Sequence, residues 1–107
     1  MSDARLDPPK LRGAQKRHLR KLAHDLDPVV QVGASGVSES VVAAVDGALA
    51  AHELIKLRIA HERPERQEMA EALAAETGSV LAGMVGRVAV LYRPAADPED
   101  RRISLPA

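Results

Sequence analysis

The chain has 107 residues, of which 46% are apolar, and its formal net charge is zero. This length indicates one domain, and the apolar fraction is sufficient for a hydrophobic core. The absence of cysteine excludes disulfides and thiolate metal sites, and it fits a reducing cytoplasm, which is the location we expect. No apolar run approaches the roughly 20 residues of a membrane-spanning helix, and the polar amino end has no signal-peptide core.

Positive charge is concentrated at the amino end. Residues 1–24 contain seven Lys or Arg and two Asp, which gives a net charge of +5. Residues 25–107 contain eight Lys or Arg and thirteen Asp or Glu, which gives a net charge of −5. A local basic surface attracts a polyanion even when the whole chain is neutral, so this distribution favours a nucleic-acid partner.

The chain is almost free of aromatic residues, and Tyr92 is the only one. Domains that read single-stranded RNA by stacking its bases on a sheet need several exposed aromatic side chains. Any binding of RNA by this chain must therefore depend on charge and on contacts with the sugar-phosphate backbone.

Residues 1–10 are polar, and we expect them to form a flexible tail. A first helix is predicted for residues 11–26, because Leu11, Leu19, Leu22, Ala23 and Leu26 recur at helical spacing. It ends before Pro28, since the residue before a proline avoids the helical conformation. Five cations lie outside the apolar stripe: Arg12, Lys16, Arg17, Arg20 and Lys21. They have no acidic neighbour between residues 11 and 24, which favours a phosphate-facing role over a merely solvated surface.

A short strand at residues 29–32 is followed by the loop Gly33-Ala34-Ser35-Gly36. Two glycines allow a sharp turn and a close approach to a ligand, because neither has a Cβ atom. A second helix is predicted from an N-cap at Ser38 to about residue 52, and its first turn has unpaired N–H groups and a partial positive charge. Together these features predict a phosphate-binding site. A G-x-x-G motif alone is also common in ordinary turns.

The second half of the chain predicts one helix and three strands. Residues 54–60 alternate apolar side chains with Lys56 and Arg58, which is typical of a strand with one buried face. A third helix is predicted from Pro64 to a stop at Gly78. Strands at residues 80–85 and 87–92, separated by a short break at Gly86, predict an antiparallel hairpin.

The predicted element order is α-β-α-β-α-β-β, with a folded domain at residues 11–94 and a carboxyl-terminal tail at residues 95–107. A strand-helix-strand unit implies a parallel pair with a right-handed crossover. We therefore predict an α+β fold, a two-layer α/β sandwich with a four-stranded mixed sheet. The tail is polar, although Ile103 and Leu105 are able to dock on the domain.

Several segments resemble the CRM domain family (chloroplast RNA splicing and ribosome maturation), and in particular its bacterial single-domain YhbY-like members. The segments are L-A-H at residues 22–24, P-V-V-Q-V-G-A-S-G at 28–36, H-E-L-I-K at 52–56, V-G-R-V-A-V-L-Y-R-P at 85–94 and I-S-L-P at 103–106. Their order and spacing are far more specific than the glycine loop alone.

The resemblance implies a fold similar to the C-terminal domain of bacterial translation initiation factor 3. It also implies an RNA-binding protein that associates with precursors of the large ribosomal subunit, through a G-x-x-G loop similar to that of KH domains. Together with the basic helix and its end, it gives the candidate RNA-binding residues Arg12, Lys16, Arg17, Arg20, Lys21, His24, Gly33, Ala34, Ser35 and Gly36. Many relatives have a lysine or asparagine between the glycines, so Ala34 and Ser35 predict binding that is weaker or that depends more on the helix.

Other functions have weaker support in the sequence. The four histidines form no metal-binding pattern, and neither a G-x-S-x-G elbow nor a P-loop is present, so we expect no enzyme, metal, cofactor or small-molecule substrate. A membrane-surface role is not expected, because the sheet needs the apolar stripe of helix 1. The alternative is a protein-interaction adaptor without RNA contact, since the acidic third helix could dock a basic protein through Glu65, Glu68, Glu71 and Glu76.

Overall fold

The structure is a computed structural model that describes residues 8–107, so residues 1–7 of the predicted tail lie outside the described part. The elements are α1 (Gly13–Ala23), β1 (Val30–Val32), α2 (Glu39–His52), β2 (Leu54–Ile59), α3 (Glu65–Thr77), β3 (Val80–Val85), β4 (Val88–Tyr92) and a 3-10 turn at Pro98–Asp100. Their order confirms the predicted α-β-α-β-α-β-β arrangement.

The four strands form one mixed sheet in the order β1-β2-β4-β3. β1 pairs in parallel with β2, and Val32 lies opposite Ile59. β4 is antiparallel to both β2 and β3, with an irregularity in the β3 register between Leu81 and Gly83. The mixed sheet and the hairpin are confirmed. Since β1 is an edge strand, the glycine loop that follows it lies at a corner of the sheet, beyond the carboxyl end of β1.

Each face of the sheet has its own core. On one face, α2 and α3 pack over the side chains of Ile55, Leu57, Ile59, Ala89 and Leu91. On the other face, Leu19 and Ala23 of α1 pack over Leu54, Ala82, Val90 and Tyr92. The layering therefore differs from the predicted two-layer sandwich: helices cover both faces, because successive residues of β2 and β4 point apolar side chains to opposite sides.

Helix α1 is shorter than the predicted range of residues 11–26, and its buried stripe is narrower. Leu22 and Leu26 are 41% and 40% exposed, so they do not belong to the core as the spacing predicted. The Lys56 ammonium donates to the carbonyl oxygens of His24 (3.2 Å) and Leu26 (2.8 Å). These bonds pair carbonyl groups beyond the end of the helix, and Leu26 lies beyond the helix, where helical periodicity no longer applies.

The segment after Pro94, predicted as a tail, is attached to the domain. Ile103 and Leu105 pack against the core beneath α1. The buried carboxylate of Glu53 accepts hydrogen bonds from the backbone N–H groups of Ala95 and Arg102, both at 2.7 Å. Gln15 of α1 donates from Nε2 to the carbonyl oxygen of Pro106 at 3.0 Å. These contacts bind the segment along the end of the sheet opposite the glycine loop.

We expect the phenol of Tyr92 to titrate above its ordinary pKa of 10.0, because burial raises that pKa and the Glu53 carboxylate raises it further. The folded state then holds the proton more tightly than the unfolded state, so stability falls as the pH rises above 10. Since Tyr92 is the only aromatic residue, its ultraviolet absorbance reports this titration alone. Tyr92→Phe should lose this part of the pH dependence, whereas equal titration midpoints in native buffer and in denaturant would contradict the prediction.

Candidate nucleic-acid interface

The glycine loop is a tight turn closed by its own backbone. The N–H group of Gly36 donates to the carbonyl oxygen of Gly33 at 3.0 Å. Gly36 has a φ angle of 73°, a conformation that side-chain-bearing residues rarely adopt. An added Cβ atom at Gly36 would lie 3.3 Å from Cε of Met69 in α3. The turn therefore favours glycine at position 36 for its conformation, and a Cβ atom there would also require a small shift of the Met69 methyl group.

A histidine outside the predicted site holds the same turn. Nε2 of His61 lies 2.8 Å from the carbonyl oxygen of Gly33 and must donate, because a carbonyl oxygen only accepts. The backbone of His61 is fixed in turn, since its carbonyl oxygen accepts from Nη1 of the buried Arg66 at 3.2 Å. The sequence analysis missed His61. Its position two residues after β2 could have placed it there, because parallel strands end at the same edge.

Three consecutive amides of the loop are available to a ligand. Within the described part of the chain, the N–H groups of Gly33, Ala34 and Ser35 donate no hydrogen bond to the backbone or to a side chain, and all three residues are exposed. A Cβ atom added at Gly33 would meet nothing within 4 Å, so the space beside its backbone is open. Successive unbonded amides in an exposed turn are groups that bind anions such as phosphate.

The start of α2 contributes less to the predicted phosphate-binding site than the sequence indicated. The Ser38 hydroxyl accepts from the N–H group of Val41 at 3.2 Å, so it caps the helix as expected. The carboxylate of Glu39 lies in the first turn and offsets the partial positive charge of the helix end. The N–H group of Gly36 is already bonded inside the turn. Anion binding therefore falls mainly to the three free amides.

Most of the predicted cations of α1 have no acidic partner in the part of the chain that the structure describes. The side chains of Arg12, Lys16, Arg17 and Lys21 form no ion pair with an acidic residue among residues 8–107, and α1 has no acidic residue in its first turn. Lys16 is half-buried and the other three are exposed, as is His24 after the last turn. This helix thus presents to solvent positive charge that no acidic side chain among residues 8–107 pairs with.

Arg20 differs from its neighbours because its side chain lies across β3. Its Nη1 donates to the carbonyl oxygen of Ala82 at 2.9 Å. Its stem covers Gly83, where an added Cβ atom would clash with the Arg20 Cδ. Part of the guanidinium is therefore committed to the fold, and the rest faces outward, since the residue as a whole is exposed.

The structure brings the loop residues together but does not place them beside α1. The helix packs on β2, β3 and β4, whereas the loop follows β1 at the end of the sheet. The N–H group of Val29 donates to the carbonyl oxygen of Lys56, the side chain of which contacts the end of α1. Four steps of about 3.3 Å along the strand separate Val29 from Gly33, a distance of about 13 Å. The candidate residues therefore form two groups with a gap between them.

Two other kinds of site receive no support from the described residues. No group of three or more His, Asp or Glu side chains among them is arranged to hold a metal ion. None of the helices found among residues 8–107 combines the length and apolar character that crossing a membrane requires.

Comparisons with known proteins agree on one family. The CRS1 / YhbY (CRM) domain matches residues 11–93. An RNA-binding protein of Haemophilus influenzae is 41% identical over 93 residues, covering 86% of this chain and 91% of the relative. The probable RNA-binding protein YqeI of Bacillus subtilis is 39% identical over 97 residues, covering 90% of this chain and 99% of the relative.

A solved structure has the same fold. The solution structure of a hypothetical Staphylococcus aureus protein, described as a candidate RNA-binding protein, is 34% identical and superposes with a TM-score of 0.76. The match covers 89% of this chain and 100% of that protein. The sequence match over residues 11–93, the two bacterial relatives and the shared fold show that the chain belongs to the CRS1 / YhbY (CRM) domain family.

Proposed function

We propose that this chain is an RNA-binding protein that holds the phosphate backbone between the glycine loop and helix α1. The observation that carries the proposal is that the same protein has three unbonded loop amides and a helix with four cations and no acidic residue. Amides and cations are the groups that contact phosphate oxygens in protein complexes with nucleic acids. The names of the bacterial relatives support the same partner.

Recognition depends on the RNA backbone rather than on the identity of the bases. Tyr92 is 3% exposed, so no aromatic face in the described part of the chain is available for stacking. The contacts available at the loop are amide N–H groups, which bind a phosphate beside any base. We therefore expect binding that follows the shape and charge of the RNA, with a steep dependence on salt.

The RNA that we propose is ribosomal RNA in precursors of the large ribosomal subunit, bound in the cytoplasm without a catalytic step. The support is the resemblance to YhbY-like proteins, together with a site made of amides and cations. Sedimentation of cell extract tests this assignment, because the protein should migrate with large-subunit precursors. Migration with free protein alone at low salt would contradict it.

A second candidate function is an adaptor that binds a basic protein segment. Helices α2 and α3 contain six acidic residues and one arginine, Arg66, which is buried. Between them lies a groove of about 670 Å³, lined by apolar residues such as Val42 and Ala72 and by Glu39 and Glu76. This surface lies across the sheet from α1. It does not compete with the RNA proposal, and binding of a basic peptide without any RNA affinity would favour it.

The double variant Arg17→Gln/Lys21→Gln should bind RNA more weakly and with a shallower salt dependence. Each lost phosphate contact reduces the slope of log affinity against log salt by about 0.7 for a single strand, so two contacts reduce it by about 1.4. The matched control is Arg101→Gln/Arg102→Gln, which has the same net charge as the test variant. Its two substituted residues lie at the end of the sheet opposite the glycine loop. Fluorescence anisotropy with labelled RNA over a salt series measures both, and equal losses in the two variants would contradict a role for α1.

The two loop glycines should respond differently to alanine. Gly33→Ala adds a methyl group to open space, so we expect stability within about 0.5 kcal/mol of the parent and weaker RNA binding. Gly36→Ala forces a strained backbone conformation and a contact with Met69, so it should destabilise the fold by about 1–2 kcal/mol. Thermal unfolding and anisotropy separate these effects. Unchanged RNA affinity of Gly33→Ala would mean that the RNA does not approach the loop backbone.

A further inference from the structure

We propose that RNA also contacts the part of the sheet that α1 leaves uncovered, at a surface centred on Arg58. This surface, the open row, consists of Gln31, Arg58, Val88 and Val85. It would carry the RNA strand across the gap between α1 and the glycine loop. The proposal rests on the proposed function, and it adds residues that neither the glycine motif nor the basic helix includes.

The strand register places these four residues side by side. Gln31 of β1 lies opposite Arg58 of β2, Arg58 lies opposite Val88 of β4, and Val88 lies opposite Val85 of β3. Leu57 and Ile59, on either side of Arg58, point into the core beneath α2 and α3. Since side chains alternate along a strand, Arg58 and its row face the α1 side of the sheet.

Helix α1 stops short of the open row. The buried core beneath α1 contains Leu54, Val90 and Tyr92, which lie in the rows farther from the glycine loop. In the open row, Gln31 and Arg58 are exposed, Val88 is half-buried and Val85 is 69% exposed. Exposed β-strand surface of this extent, continuous with a basic helix, is available to a ligand of complementary charge.

The open row lies midway between the two groups of predicted site residues. One row farther from the loop, Arg20 lies over Gly83 and Lys56 contacts the end of α1. In the other direction, Gly33 follows Gln31 by two residues, about 6.6 Å along the strand. A strand of RNA that contacts both α1 and the loop amides by a direct route therefore passes over Arg58.

The chemistry of the row favours RNA over other ligands. The guanidinium of Arg58 has no hydrogen-bond or ion-pair partner among the described residues, so its donors are free for phosphate oxygens. A guanidinium plane also stacks on a base, which offsets the lack of exposed aromatic rings. None of the four residues of the open row is acidic, and Asp25 and Asp27 precede Val29, the N–H group of which bonds to the carbonyl oxygen of Lys56.

The test compares the full chain with Arg58→Gln, Arg58→Lys and the matched control Arg102→Gln, using a labelled single-stranded RNA oligonucleotide of mixed sequence. We expect Arg58→Gln to lose roughly tenfold in affinity, the effect of removing a charge-assisted contact, and to reduce the salt slope by about 0.7. Arg58→Lys should retain the salt slope, and Arg102→Gln should match the parent. Thermal unfolding checks that each variant is folded.

A photo-crosslinking residue at position 31 gives a second readout that does not depend on the stability of an Arg58 variant. We expect the full chain with this replacement at Gln31 to crosslink to the RNA. Parent protein that fails to bind RNA at any salt concentration would overturn the proposed function itself. Parent protein that binds RNA, together with a folded Arg58→Gln variant of equal affinity and no crosslink at position 31, would overturn only the open-row proposal.

Discussion

The parallel pairing of β1 with β2 is the constraint on which the candidate site depends. It places the glycine loop after β1 and His61 after β2 at the same end of the sheet, where His61 donates to the carbonyl oxygen of Gly33. The same carbonyl oxygen closes the turn with the N–H group of Gly36. The turn is thereby fixed by two hydrogen bonds to the carbonyl oxygen of Gly33, and the N–H groups of Gly33, Ala34 and Ser35 are left for a ligand. Without the parallel register, Arg58 would not lie beside Gln31 on the path to the loop.

The neutral total charge hides a separation of charge across the sheet. On one side, α1 has four cations and no acid, and on the other side α2 and α3 have six acidic residues and one arginine. The buried sheet keeps these charges apart, so they do not pair with one another. A polyanion such as RNA is therefore attracted to the α1 side of the protein and repelled by the side that carries α2 and α3. This charge separation favours binding with α1 toward the RNA.

The element order, the mixed sheet and the hairpin could be predicted because local patterns encode them: alternation in β2, proline and glycine at the ends of α3, and a glycine between β3 and β4. The packing of α1 on the second face of the sheet could not be predicted in the same way. Leu22 and Leu26 share the helical spacing of Leu19 yet remain exposed, so the spacing alone does not identify the buried side of this helix. The same holds for the site. The loop and the basic helix are visible as motifs, whereas the attachment of Arg20 to β3, the bond from His61 to the loop and the open row arise only from tertiary packing and strand register.

The most direct test of this account is the change in backbone amide chemical shifts of the labelled full chain when an RNA oligonucleotide is added. The account predicts that the largest changes occur at Gly33, Ala34 and Ser35, at Arg58 and its neighbours in the sheet, and along the outer surface of α1. Changes confined to α2 and α3, with the loop amides unmoved at saturating RNA, would contradict it.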